Sequence, residues 1–198
     1  MELGQLILIW VAIFVVIAIF VTIKSHINTK KGMDSEEKQE IKDLAAKLIP
    51  NVSEYTVAYG YWETRQISAG GVATINTTNT YYYYAVAFKS GILYYIPLSF
   101  AGGDMSYGEV CRLSKDDLGM VNGKKNECWA SYYDKEKNEI VSISVLPSNT
   151  KDDKYNPCNI QQQEESEAYV AFVQELMEDV NTANGVEVTG KPLKPLKK

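Results

Sequence analysis

An apolar run near the N-terminus constrains this chain more than any other feature. Residues 6–23 read LILIWVAIFVVIAIFVTI, with no charged side chain and Thr22 as the single polar one. A helix of this length is about 27 Å long, which matches a thin hydrocarbon core. The run therefore predicts a transmembrane helix, because main-chain groups in lipid must hydrogen-bond within their own segment. Positions that represent the predicted span are Leu6, Trp10, Phe14, Ile19 and Ile23.

A cleaved signal peptide is the competing interpretation of this run. Such peptides carry a basic N-terminal segment, a shorter apolar stretch and a small-residue cleavage site. Here the chain starts MELGQ, without lysine or arginine, and KSHINTKK follows the run without an A-x-A pattern. These features favour a retained anchor.

Positive charge flanks the predicted span on one side only. Lys24, Lys30 and Lys31 follow it, and no basic side chain precedes it. Since positive residues stay on the cytoplasmic side, these lysines set the predicted topology. We therefore expect a single-pass protein of the cell membrane, with its N-terminus outside and its C-terminal domain in the cytoplasm. Residues 1–31 form the predicted anchor and basic juxtamembrane segment.

The next segment has the spacing of an amphipathic helix. In residues 34–49, apolar side chains recur at helical period, and Asp34 is the predicted N-cap. Pro50 marks the end, because proline cannot continue a helix. We predict a linker helix that packs on the domain it precedes.

From residue 54 the hydrophobic period becomes two, which indicates antiparallel strands. About seven strands are predicted, at residues 54–63, 72–76, 81–89, 91–98, 109–114, 127–133 and 139–146. A second amphipathic helix follows them, with Asn159 as predicted N-cap and Gln162 three residues on. Gly185 lies beyond its end, and residues 185–198 form a basic tail that we expect to be disordered.

A twisted sheet of seven short strands bends into a sandwich or open barrel, which the last helix can cap. This order resembles the bacterial pleckstrin-homology-like domains over about residues 54–181. The central hairpin YYYYAVAFKSGILYYIPL and the helix QQQEESEAYVAFVQELMEDV carry the resemblance. The predicted fold class is an N-terminal transmembrane helix followed by a mainly-β (α+β) domain at residues 54–184.

Charge limits the classes of partner. The net charge of −5 argues against nucleic acid, because phosphates require lysine and arginine. The resemblance implies that a phosphoinositide would meet basic residues around the first hairpin, where residues 64–80 offer Arg65 alone. Specific phosphoinositide binding is therefore not expected. The tail lysines at 191–198 would give an accessory contact with an anionic leaflet.

No catalytic signature is present. The single histidine, His26, lies outside the predicted domain, so triads and histidine-ligated metals lack a component. Asp116-Asp117 and Asp152-Asp153 are adjacent pairs in polar turns, whereas catalytic carboxylates converge from separate elements. We predict no enzyme activity, no cofactor and no metal.

Cysteines and tyrosines leave two interpretations each. The odd number and wide spacing of Cys111, Cys128 and Cys158 favour free thiols, and a Cys111–Cys128 bridge stays open if the domain lies outside the cytoplasm. Tyr81–84 are either a stacking platform or cross-strand packing, and their period of two favours packing.

These observations predict a membrane-anchored, non-enzymatic binding or adaptor module that docks a protein partner. The alternative is a carrier that encloses a small apolar ligand in a membrane-tethered β-barrel. An interior filled with side chains favours docking, and an empty apolar cavity favours carriage.

Overall fold

The computed structural model describes residues 35–70, 74–101, 105–151 and 156–186, with the isolated positions 14, 15, 17 and 19. Residues 65–70 and 74–77 are described by their main chain alone. Helix α1 is Glu36–Leu48, a 3₁₀ turn is Val52–Glu54, and helix α2 is Gln163–Ala183. The strands are β1 (Thr56–Gly70), β2 (Thr74–Lys89), β3 (Ile92–Ser99), β4 (Ser106–Tyr107), β5 (Cys111–Ser114), β6 (Leu118–Gly123), β7 (Trp129–Asp134), β8 (Glu139–Ser144), β9 (Ser148–Asn149) and β10 (Ile160–Gln161).

These strands form three antiparallel sheets in the described part of the chain. The first has the order β1-β2-β3-β4, and β5 also pairs with β3. Strands β6, β7 and β8 form the second sheet, and the short strands β9 and β10 form the third. Strand β1 is an edge of the first sheet, and β6 is an edge of the second.

The first sheet is the middle of three layers. Tyr84, Val86 and Phe88 of β2 face the second sheet and α2. Ala85 and Ala87, which alternate with them, face α1. Burial of a phenylalanine side chain contributes about 1.5–3 kcal/mol. The period of two in the sequence thus supplies large side chains to one core and small ones to the other.

The helix ends differ from the predicted ones in detail. Ser35 is the N-cap of α1, where its Oγ accepts a hydrogen bond from the Lys38 amide at 3.2 Å. The predicted cap, Asp34, lies outside the described residues. Helix α2 begins at Gln163 with Gln162 at the N-cap position, not Asn159, because residues 160–161 pair as β10.

Two buried carboxamides fix α2 to the edges of two sheets. The Gln162 side chain accepts from the Tyr59 amide at 3.0 Å and donates to the Tyr59 carbonyl at 2.7 Å and to the Leu146 carbonyl at 2.8 Å. Near the other end of the helix, Asn181 accepts from the Val121 amide at 3.0 Å and donates to its carbonyl at 2.8 Å. Each carboxamide binds the amide and the carbonyl of one edge residue, as a neighbouring strand would, and so satisfies main-chain groups that are buried.

The predicted fold class is wrong. One bent sandwich or open barrel of about seven strands was expected, whereas the described residues form ten strands in three sheets. The turn at residues 115–117 separates β5 from β6, so β6–β8 pair among themselves. Strand β6 was not predicted because it contains Gly119, and glycine is uncommon inside strands. Glycine is required at this position, since a Cβ there would overlap the Asp134 carbonyl. The two-residue strands have no sequence signature.

The transmembrane component of that fold class is corrected as well. Within the described residues, no helix combines the length and the apolar character that a membrane crossing requires. Helices α1 and α2 are amphipathic, with charged residues along their exposed faces. Of the predicted span, Phe14, Val15, Ile17 and Ile19 are described, and they are helical with exposed side chains.

Candidate docking site at the β1–β2 ribbon

Strands β1 and β2 continue beyond the rest of their sheet. Strand β2 pairs with β3 only from Tyr83 to Lys89, whereas its pairing with β1 runs to Gly70↔Thr74. We call residues 63–70 and 74–81 the ribbon. At about 3.3 Å per residue the ribbon is about 26 Å long. In the described chain it is a two-stranded projection from a multilayered body.

Both edges of the ribbon present main-chain hydrogen-bonding groups. The Tyr59 amide and carbonyl point away from β2, because both bind Gln162. In an antiparallel pair this direction repeats every second residue, so the main-chain amides and carbonyls of Glu63 and Arg65 also point outward from β1. The main-chain amides and carbonyls of their register partners, Tyr81 and Asn79, point outward from β2. No described strand pairs with these positions.

The composition of the ribbon does not protect these edges. Exposed edge strands usually carry lysine, proline or a bulge that prevents pairing with another chain. Here no charged residue and no proline lies between Arg65 and Lys89. The β1–β2 register also runs without a shift from Thr56↔Phe88 to Gly70↔Thr74. Glu63 and Arg65 at its base are the charged residues of the ribbon. Beyond Arg65 an extended segment of another chain can therefore pair with the ribbon without conflict from these devices.

Aromatic side chains lie at the base of the ribbon. Tyr82 is 50% exposed, and its register partner Trp62 packs with its ring centroid 6.4 Å from that of Trp129. Tyr84 is fully buried. The tyrosine run thus divides between the core and the surface, and the exposed part adjoins the open edges.

A surface cavity of about 460 Å³ lies between one face of the ribbon base and the segment that follows β8. We call it the ribbon cavity. Its described lining is Tyr61, Glu63, Asn79, Tyr81, Ser148, Asn149, Thr150 and Asn156. The Tyr81 hydroxyl donates to Glu63 Oε1 at 3.3 Å. Asn149 is buried, and its Oδ1 has no hydrogen-bond partner among the described residues.

A buried polar network supports the wall of this cavity. Asn156 Oδ1 accepts from the Tyr59 hydroxyl at 3.0 Å and from the Cys158 amide at 3.2 Å. The Asn156 amide donates to the Thr150 carbonyl at 3.1 Å. Burial raises the pKa of the Cys158 thiol to about 12 and raises the pKa of Tyr59 well above its usual value. Both groups are neutral at pH 7, so Cys158 is not a nucleophile.

A second cavity, of about 480 Å³, lies between α1, β1 and the start of α2. Its lining mixes charged and apolar residues, including Lys42, Glu164, Glu165 and Val57. Lys38 pairs with Glu165 at 2.8 Å nearby. Charged side chains form part of its wall, and Lys42 there lies 4.0 Å from Glu165, so the cavity is not an apolar enclosure.

Chemistry-bearing residues outside these cavities form no further cluster in the described regions. No group of three or more His, Cys, Asp and Glu side chains there is arranged to hold a metal ion. Asp117 accepts from Ser114 Oγ at 2.6 Å in a turn. Cys111, Cys128 and Cys158 are unpaired thiols.

Of the residues predicted to span the membrane and to set its topology, Phe14 and Ile19 are described, and neither lines this site. Phe14 and Ile19 are 67% and 54% exposed on helical backbone. The others lie outside the described residues, namely Leu6, Trp10, Ile23, Lys24, Lys30 and Lys31. Sequence reasoning missed the ribbon cavity, because its two walls are far apart in the chain. The signal that was available is the long uncharged stretch that follows Arg65.

Comparison of the chain with protein-family models, with curated proteins and with solved structures finds no match in any of the three.

Proposed function

We propose that the chain is a non-enzymatic binding module that docks a protein partner by strand addition to the ribbon. The observation that carries this proposal is that no described strand pairs with the outer edges of residues 63–70 and 74–80, which contain no proline and no charge beyond Arg65. In strand addition, main-chain hydrogen bonds supply affinity and neighbouring pockets supply specificity.

The energetics support a transient or regulated contact. A main-chain hydrogen bond contributes about 0.5–1.5 kcal/mol net, so four bonds along one edge contribute a few kcal/mol. The exposed ring of Tyr82 and the partly exposed ring of Trp62 lie beside that edge. Tyrosine and tryptophan are enriched among the residues that dominate binding energy. The edge aligns the partner segment through main-chain hydrogen bonds, and the rings of Tyr82 and Trp62 add apolar contact area.

The alternative, a carrier of a small apolar ligand, has less support. The ribbon cavity and the second cavity described above both open among charged or carboxamide side chains. The space between the first sheet, the second sheet and α2 is filled by Tyr84, Tyr132 and Tyr169, and the last two share a hydrogen bond of 3.0 Å. A filled interior of this kind supports docking.

Two further expectations stay predictions. A location at the cell membrane rests on residues 1–31, nearly all of which lie outside the described residues. Likewise, membership of the pleckstrin-homology-like domains rests on the order of elements alone. Neither expectation is required for strand addition.

A pair of matched variants tests the proposal. Arg65 and Asn79 are register partners whose main-chain groups point outward. Arg65→Pro with Asn79→Pro removes one donor from each open edge and leaves the bonds within the ribbon. Arg65→Ala with Asn79→Ala removes the same side chains and keeps the donors. Affinity capture with the tagged full-length chain, followed by titration of the captured protein, should give at least tenfold weaker binding for the proline variant than for the alanine variant.

Equal binding by the two variants contradicts docking on the ribbon. Sedimentation of each purified variant then identifies the kind of partner. If the unaltered chain forms a dimer that the proline variant lacks, the added strand comes from a second copy. Circular dichroism of both variants controls for folding.

A further inference from the structure

The ribbon cavity is rich in hydrogen-bond acceptors and contains no described cationic group. Glu63 contributes a carboxylate, which binds one hydroxyl and keeps further acceptor capacity. Neither lysine, arginine nor histidine is among the described lining residues. A group that fills this cavity should therefore be a donor, and a positive charge would complement Glu63.

Asn149 is an independent sign of an absent donor. Only 2% of this residue is exposed, and no group in the described part of the chain donates a hydrogen bond to its Oδ1. Its amide nitrogen points to the Leu146 carbonyl at 3.4 Å, which fixes the orientation of the carboxamide. A buried acceptor without a donor is unfavourable, because the loss of its contact with water is not compensated. A ligand that donates to this oxygen would supply that compensation.

Two tyrosines supply the remaining walls of the cavity. Tyr61 and Tyr81 lie on the same face of the β1–β2 pair as Glu63. Tyr61 is two residues before Glu63 on β1, and Tyr81 is the register partner of Glu63 on β2. Aromatic rings attract a cation, and the aliphatic stem of lysine or arginine packs on such rings. The combination of aromatic rings, one carboxylate and a free carboxamide oxygen suits a basic side chain.

We propose that the ribbon cavity receives a lysine or arginine side chain of the docked partner segment. This inference rests on the proposed function, because the same edge of β1 aligns the segment that carries the side chain. A strand added at Glu63 places alternate side chains on the face that the cavity occupies. The edge of β1 then binds the main chain of the partner segment whatever its sequence, and the cavity selects a positively charged side chain at one position of that segment.

A partner fits this site better than the basic tail of the same chain. The tail follows Val186, beyond the end of α2, whereas Gln162 at the start of α2 binds Tyr59 and Leu146, which are near in sequence to the lining residues Tyr61 and Ser148. A helix of 21 residues is about 31 Å long, so the tail begins at the far end of the body. We assign the cavity to a partner because a strand added at Glu63 brings its own side chains to this face, whereas the tail would have to cross that distance.

Small probes test the cavity independently of strand addition. The full-length chain is titrated with N-acetyl-lysine-N-methylamide, N-acetyl-arginine-N-methylamide and the uncharged N-acetyl-norleucine-N-methylamide, and NMR follows the Asn149 side-chain amide and the Tyr81 ring. Both cationic probes should shift these signals and bind at least tenfold tighter than norleucine. Glu63→Gln should reduce that preference about tenfold. Glu136→Gln, an exposed carboxylate in the β7–β8 turn, should leave it unchanged.

Three outcomes would overturn the inference. They are equal binding of the norleucine probe, no shift with any probe, or a charge preference that survives Glu63→Gln. A chain that ends at Val186 and binds the lysine probe much more tightly than the full chain would show that its own tail occupies the cavity, which overturns the assignment to a partner. None of these results affects the comparison of proline and alanine variants, so the proposed function is judged separately.

Discussion

The two halves of the β1–β2 pair share one register and have opposite surroundings. In the body, Ala58 and Tyr59 are buried, and the outward main-chain groups of Tyr59 bind Gln162. Beyond Glu63 the same two strands run on with outward groups that no described strand binds. A single continuous hairpin is thus structural at one end and available at the other.

This difference shows that the folded core ends where other parts of the chain stop packing on β1 and β2, and not where the two strands end. Polar main-chain groups in the body must be satisfied because water is excluded there. Water can satisfy the same groups along the ribbon, so no internal partner is required. A change in the body should therefore alter stability, and a change in the ribbon should alter binding.

Alkaline unfolding of the body is the largest expected effect. Burial raises the pKa of Tyr95 and of Cys158 to about 12 and raises the pKa of several other tyrosines. The other tyrosines are Tyr59, Tyr84, Tyr132 and Tyr169. Because unfolded tyrosine and cysteine lose their protons first, the stability present below pH 9 is lost as the pH rises through 12. Urea denaturation at several pH values measures this. A free energy of unfolding that is constant from pH 9 to 12 would contradict the assignment of these groups to the core.

Removal of the Gln162 carboxamide should give the largest effect of a single substitution. Gln162→Met keeps the length of the side chain, leaves the buried Tyr59 amide and carbonyl without their partner, and removes one of the two side-chain bonds to the Leu146 carbonyl. At about 1–3 kcal/mol for each group, the free energy of unfolding should fall by about 4 kcal/mol. The control is Gln161→Met, which removes one exposed bond to Ser148 and should cost less than about 1 kcal/mol. Equal losses in the two variants would show that the edge of β1 does not depend on Gln162.

Gly60 tests how closely the second sheet approaches β1. A Cβ at this position would overlap the Ser144 carbonyl oxygen and the Tyr84 ring. Gly60→Ala should therefore cost about 2–3 kcal/mol, since well-packed interiors do not accept an added methyl group. Gly108→Ala places its methyl group 3.4 Å from Pro97 and should cost under about 1 kcal/mol. Thermal and urea unfolding compare the two variants, and a neutral Gly60→Ala would mean that the sheets separate readily.

Shortening the ribbon should have the smallest effect on stability. Gln66 and Thr78 are register partners, so an Asn-Gly turn can join them in place of residues 67–77. We expect the free energy of unfolding to change by less than about 1 kcal/mol, because an isolated two-stranded hairpin is marginally stable by itself. A loss above about 2 kcal/mol would place the ribbon within the cooperative core and remove the distinction between the two halves.

Sequence patterns predicted the parts of this fold that depend on local periodicity. The strand predicted at 91–98 lies within a residue of β3, and the strand predicted at 81–89 matches the C-terminal part of β2, which begins seven residues earlier at Thr74. These parts were predictable because their alternating side chains face two cores. Helix α1 ends before Pro50 as predicted. The pairing of the polar stretch at 68–80 was missed, since threonine, serine and asparagine carry no burial signal.

Features that depend on distant contacts were beyond sequence reasoning. Gln162 was assigned to a capping box, whereas its side chain binds Tyr59, more than a hundred positions away. The ribbon cavity needs residues from β1, β2 and the segment after β8, and their spacing in the chain follows no motif. Local pattern therefore located the strands, and tertiary contacts decided how they group into sheets.

The position of the two carboxamides late in the chain has a consequence for biosynthesis. Gln162 and Asn181 flank or lie in the last helix, so a growing chain carries both sheets before either edge can be closed. Until α2 leaves the ribosome, the nascent protein has the exposed strand edges that promote aggregation. Premature termination before residue 162 should consequently yield insoluble fragments, and chaperone contact during synthesis should peak in that interval.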